Sequence, residues 1–69
     1  MKRTWVSSSS INSVGYDQKT RTLEVEFRNG HAYRYLGVPP QVYNELMHAD
    51  SKGRFINFMV KNHYAHLRV

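Results

Sequence analysis

Cysteine is absent from the 69 residues, so no disulfide staples the fold and no thiolate holds a metal. No apolar run approaches the roughly 20 residues a membrane helix needs. Behind Lys2 and Arg3 the chain turns polar, so no signal peptide is read at the N-terminus. These features lead to the expectation of a cytoplasmic protein with no membrane partner. Acidic residues are few, five against ten Lys and Arg, for a net charge of +5. Three of the cations (Lys2, Arg3 and Arg68) lie near the chain ends, and without them seven basic residues face five acidic ones. The body is therefore only mildly basic, and charge alone admits an anionic partner without demanding one.

Large aromatic area is what the chain does have: three Phe, five Tyr and one Trp. In a single domain this short, such side chains must supply most of the burial, and stability is expected to be marginal. Residues 1–10 end in Ser7-Ser8-Ser9-Ser10 and show no periodicity, so they read as a flexible arm or an edge segment before a single domain over 11–66. Ile11 to Tyr16 reads as a first strand and Asp17-Gln18-Lys19-Thr20 as a turn. Leu23, Val25 and Phe27 alternate with Glu24, Glu26 and Arg28 in a half-buried second strand, and His31 to Leu36 forms a third.

Register selects the connecting loop. A two-residue Asn29-Gly30 loop would set Val25 against Arg34 and Glu24 against Tyr35, mixing charge and aromatics on both faces. A three-residue loop, Arg28-Asn29-Gly30, pairs Phe27 with His31, Val25 with Tyr33, Leu23 with Tyr35 and Glu24 with Arg34. One face becomes continuously apolar, and Gly30 falls where a left-handed residue is needed. The longer loop is the expected one.

Gly37-Val38-Pro39-Pro40 ends the sheet, and Pro suits the first turn of a helix. Val42, Tyr43, Leu46, Met47 and Ala49 make the stripe of a first helix, and Ser51 is an N-cap for a second. In that second helix Phe55, Ile56, Met59, Val60 and His63 share one side, with Arg54, Asn57, Lys61 and, at full length, Arg68 on the other. The expected fold is α+β: a three-stranded antiparallel β-meander followed by two α-helices packed on one sheet face.

The chain resembles the KTSC domain family, found at the C-terminus of some lysyl-tRNA synthetases and as stand-alone bacterial or phage proteins. The resemblance runs through Ser9-Ser10-Ile11, Gly15-Tyr16-Asp17, Leu23 to Phe27, Asn29-Gly30, Tyr33-Arg34-Tyr35, Val38-Pro39 and Val42-Tyr43. It continues through Ala49-x-Ser51-x-Gly53-x-Phe55-x-Asn57 as far as Tyr64. It implies a small accessory module, brings no catalytic residues, and carries RNA binding only as an association with the synthetase context.

Two places compete for function. Tyr33 and Tyr35 share a strand face, as in a base-stacking platform. In the chosen register, however, they lie with Leu23, Val25 and Phe27 under the helices, while Glu24 and Glu26 occupy the open face. Tyr33 and Tyr35, with Ser51 and Phe55, therefore read as structural members of the family motif. Lys52, Gly53, Arg54, Asn57 and Lys61, at the start and outer face of the second helix, are the better nucleic-acid candidates: cations, a small residue and a helix N-terminus that favours anions.

The same residues also read simply as a capped, solvated helix end. His63 and His66 lack further ligands, so no metal site is read. No nucleophile and base or paired carboxylates occur at catalytic spacing, so neither an enzyme nor a cofactor is expected. The alternative function is a protein interaction module or homodimer, using exposed aromatics (Trp5, Tyr43, Tyr64) or a sheet edge.

Overall fold

The computed structural model describes all 69 residues, Met1–Val69. Five antiparallel strands lie in sequence order: β1 (Arg3–Trp5), β2 (Ile11–Asp17), β3 (Thr22–Phe27), β4 (Ala32–Tyr35) and β5 (His66–Arg68). Between β4 and β5 come α1 (Pro40–His48), α2 (Lys52–Phe55) and a π-helical turn (Ile56–Val60) that continues α2. The fold is α+β, with two helical segments on a five-stranded sheet rather than on a three-stranded meander.

The central hairpin has the three-residue loop. Val25 pairs with Tyr33, Leu23 with Tyr35 and Glu24 with Arg34, while Phe27 N–H donates to the His31 carbonyl and Gly30 N–H to the Phe27 carbonyl, both at 2.9 Å. Gly30 takes φ +89°, a backbone region that a side chain would strain.

Both added strands are edges of three residues, too short to display alternation. The N-terminal segment, read as a flexible arm or an edge segment, supplies edge strand β1, which pairs Arg3 with Gly15, Thr4 with Val14 and Trp5 with Ser13. Gly15 permits this pairing, because a Cβ there would press within 3.1–3.2 Å of the Met1 sulfur, the Arg3 side chain and the Lys2 carbonyl. At the other end, the helix does not carry Arg68 along its outer face. It stops near Val60, and β5 pairs with β4 through Tyr33–Arg68, Arg34–Leu67 and Tyr35–His66.

The core joins Ile11, Val14, Leu23, Val25 and Tyr35 from the sheet with Val38, Leu46, Ile56 and Val60 above it. Ile11 and Val14, three apart, would point to opposite faces of a regular strand. A bulge between Ile11 and Ser13 resets the phase and brings both into the core. The π-helical turn shifts phase in the same way. Lys61 N–H reaches back five residues to the Ile56 carbonyl at 2.8 Å, so Ile56 and Val60 are buried while Phe58 and Met59 stand out at 70% and 51% exposure. The expected apolar side loses Met59 and also His63, which is exposed in the turn after the helix.

Two tyrosine contacts tie α1 to the sheet. The Tyr16 ring stacks on Tyr43 with centroids 4.7 Å apart, and its hydroxyl donates to the Val38 carbonyl at 2.5 Å. Burial raises the pKa of Tyr16 above the ordinary phenol value.

Candidate nucleic-acid interface

The molecule's two faces handle charge differently. On the sheet face away from the helices, Glu24 is only 6% exposed and lies between Arg3 and Arg34. Arg3 Nε donates to it at 2.6 Å and Arg34 Nε at 2.8 Å, and Arg3 also pairs with Glu26 at 3.1 Å. Burial works to raise the Glu24 carboxyl, but the hydrogen bonds and charges of Arg34 and Arg3 outweigh it and hold the group below the usual carboxylate range. These are the three ion pairs of the structure, and two carboxylates cancel two guanidiniums there. The positive excess is therefore carried elsewhere.

Part of it lies in the helical layer and the C-terminal strand, where four cations face Glu45 and Asp50. Residues 51–69 contain Lys52, Arg54, Lys61 and Arg68 and no Asp or Glu. Ser51 caps α2, its hydroxyl accepting from Arg54 N–H at 3.3 Å. Lys52 lies one residue inside the cap, and its ammonium donates to the Ala49 carbonyl at 3.3 Å, which leaves donors free for a ligand. Arg54, Asn57 and Lys61 are exposed, and none of their side chains is held by another protein group.

Gly53 has a different position. It is buried, and a Cβ there would overlap the Ser10 hydroxyl. It lets α2 press against the segment leading into β2 and offers a ligand no approach.

The exposed residues divide between two concavities. Arg54 borders a shallow groove of about 330 Å³ with Asp50, Phe55, Phe58 and Met59. Asn57 and Lys61 instead line a more enclosed cleft of about 210 Å³, whose other walls are Phe27, Tyr33, Tyr35 and His66. Aromatic edges and faces meet along that wall: Phe27 to Tyr33 at 6.0 Å, Tyr33 to His66 at 5.9 Å and Tyr35 to His66 at 5.5 Å between ring centroids.

The two tyrosines of the central motif differ. Tyr35 is 3% exposed and belongs to the core, and burial, with Tyr33 adding to it, raises its phenol pKa. Tyr33 is half-buried and packs against the core from the cleft side. Among the remaining motif residues, Phe55 is half-buried against the core beside the groove.

His66 and Phe27 were not singled out for function by the sequence. His66 reaches the cleft only because β5 exists, and a three-residue strand after a helix carries no periodic signal. Phe27 follows the ordinary alternation of β3 and reads as core.

Comparison with known proteins agrees with this fold. The KTSC domain family model matches residues 7–64. A protein of Stutzerimonas stutzeri A1501 is 49% identical over 70 residues, covering 100% of this chain and 99% of its own length. A lysine–tRNA ligase of Nostoc punctiforme is 43% identical over 56 residues, which is 81% of this chain but 10% of the ligase. The crystal structure of a KTSC domain protein from Yersinia pestis superposes with a TM-score of 0.95 at 43% identity, over 99% of this chain and 96% of that one. Such a segment thus occurs both as nearly a whole protein and as a small part of a tRNA ligase, and this chain belongs to the KTSC domain family.

Proposed function

We propose that the protein is a non-enzymatic accessory module that binds nucleic acid, RNA foremost, through Lys52, Arg54, Asn57 and Lys61. The carrying observation is the segregation of charge. Every ion pair lies on the open sheet face, whereas residues 51–69 hold four unpaired cations and no Asp or Glu, with Glu45 and Asp50 the two acidic side chains earlier in the helical layer. A polyanion meets uncompensated charge only where cations lack internal partners. The lysine–tRNA ligase that contains a similar segment favours RNA over DNA as the first ligand to try. Gly53 contributes by placing α2, not by touching the ligand.

The test is Lys52→Glu combined with Arg54→Glu. Neither residue belongs to the apolar core, so the melting temperature should hold while oligonucleotide binding disappears. Binding that survives the double charge reversal would exclude this face.

One observation supports a second reading, a protein partner. Phe58 is 70% exposed and Met59 51%, and both border the groove beside Arg54. Trp5, on edge strand β1, is 76% exposed. An interaction surface there would capture partners that persist through nuclease treatment and high salt, whereas nucleic-acid-mediated capture would be lost under both.

A further inference from the structure

We infer that the cleft between β4, β5 and the π-helical turn takes one unpaired base of a single strand, so that the protein selects single-stranded over duplex nucleic acid. This rests on the nucleic-acid reading and adds the form of ligand and the place where it is recognised. One wall is aromatic, with Phe27, Tyr33, Tyr35 and His66 lining it, and flat π-surfaces accept any base by stacking.

Asn57 and Lys61, from the helical layer, complete the lining. The Asn57 amide has donors and an acceptor with no protein hydrogen bond, which suits the edge of a base. Lys61 has no carboxylate partner and suits the adjoining phosphate. The Tyr35 hydroxyl makes no protein hydrogen bond, and no polar side-chain atom in the structure is both buried and unpartnered. That hydroxyl therefore keeps some solvent access, and Tyr35 lines the cleft.

Size and access narrow the ligand. At about 210 Å³ the cleft falls below the roughly 300–1,000 Å³ of pockets that enclose drug-sized molecules. It has room for one planar group with its sugar and phosphate left outside. A base held in a Watson–Crick pair cannot enter. The π-helical turn contributes by running Lys61 N–H back to Ile56, a local winding often found at functional sites.

The experiment titrates ¹⁵N-labelled protein at low salt with three probes: a mixed-sequence single-stranded RNA octamer, the same octamer annealed to its complement, and inorganic phosphate. The octamer should bind more tightly than the duplex, with shifts at Tyr33, Asn57, Lys61 and His66. Tyr33→Leu should weaken octamer binding at least five-fold, the loss expected for one stacked base, and leave duplex binding unchanged. Asn57→Ala, at an exposed position, should likewise weaken octamer binding if Tyr33→Leu melts early. Equal binding of octamer and duplex, or octamer binding untouched by both variants, overturns the cleft while the nucleic-acid reading stands. Shifts at Lys61 with phosphate alone, unmatched at Tyr33 by the octamer, mark a bare anion contact and also overturn it. No binding by either nucleic acid removes both readings together.

Discussion

Gly53 and Tyr16 show how fragments of the family motif far apart in sequence become one structure. The enclosed Gly53 lies against Ser10, so Gly53→Ala should cost about 1–2 kcal/mol through overpacking, despite Ala being the better helix former. In a Ser10→Ala background the obstructing hydroxyl is gone, and the penalty should nearly vanish. A double-mutant cycle by chemical denaturation measures this coupling, and equal penalties in both backgrounds would place the obstruction elsewhere. Tyr16 links the Gly-Tyr-Asp fragment to Val-Pro through its hydrogen bond to Val38 and to Val-Tyr through its stack on Tyr43. Tyr16→Phe leaves the Val38 carbonyl short of a donor and should lower stability by about 1 kcal/mol in the same assay.

The helical layer is where element-level reasoning needs most correction. A regular α-helix from Ser51 would bury Met59 along with Ile56 and Val60. The π-helical turn instead exposes Met59 and Phe58. Ile56→Ala should therefore cost about 2–4 kcal/mol, while Met59→Ala should stay within about 0.5 kcal/mol. Comparable losses at both sites would mean that the helix keeps a regular winding in solution. The central hairpin was legible because Leu23, Val25 and Phe27 alternate over a full strand and only one loop length gives a continuous apolar face. β5 was not, and β1 only as the edge-segment alternative, since three residues such as Arg3-Thr4-Trp5 or His66-Leu67-Arg68 hold too little pattern and take their pairing from neighbouring strands. The bulge at Asn12 and the π-helical turn were hidden for a related reason: each is a phase shift dictated by tertiary packing and not by composition.

At the scale of the molecule, ionisation should limit stability at both ends of the pH range. Glu24 is held below its ordinary value, so the unfolded chain binds the proton first, near pH 4.3, and stability falls as the pH drops from there. Tyr16 and Tyr35 are raised, so the unfolded tyrosines ionise first, near pH 10, and stability falls as the pH rises past that value. Thermal melts across pH should show a plateau between these limits, with the acid limb flattened in Glu24→Gln.

The candidate interface was half legible. Lys52, Arg54, Asn57 and Lys61 follow from helix phase and charge. The division of these residues between a groove and an aromatic cleft depends on β5 bringing His66 beside Tyr33. Binding through this face is tested most directly by fluorescence anisotropy of a labelled single-stranded RNA over a series of salt concentrations. If Lys52, Arg54 and Lys61 each neutralise one phosphate, the logarithm of the binding constant should fall against the logarithm of salt with a slope of about −2. It should flatten further with each cation replaced by Gln. No binding at low salt, or binding indifferent to salt, would contradict a nucleic-acid interface on the helical layer.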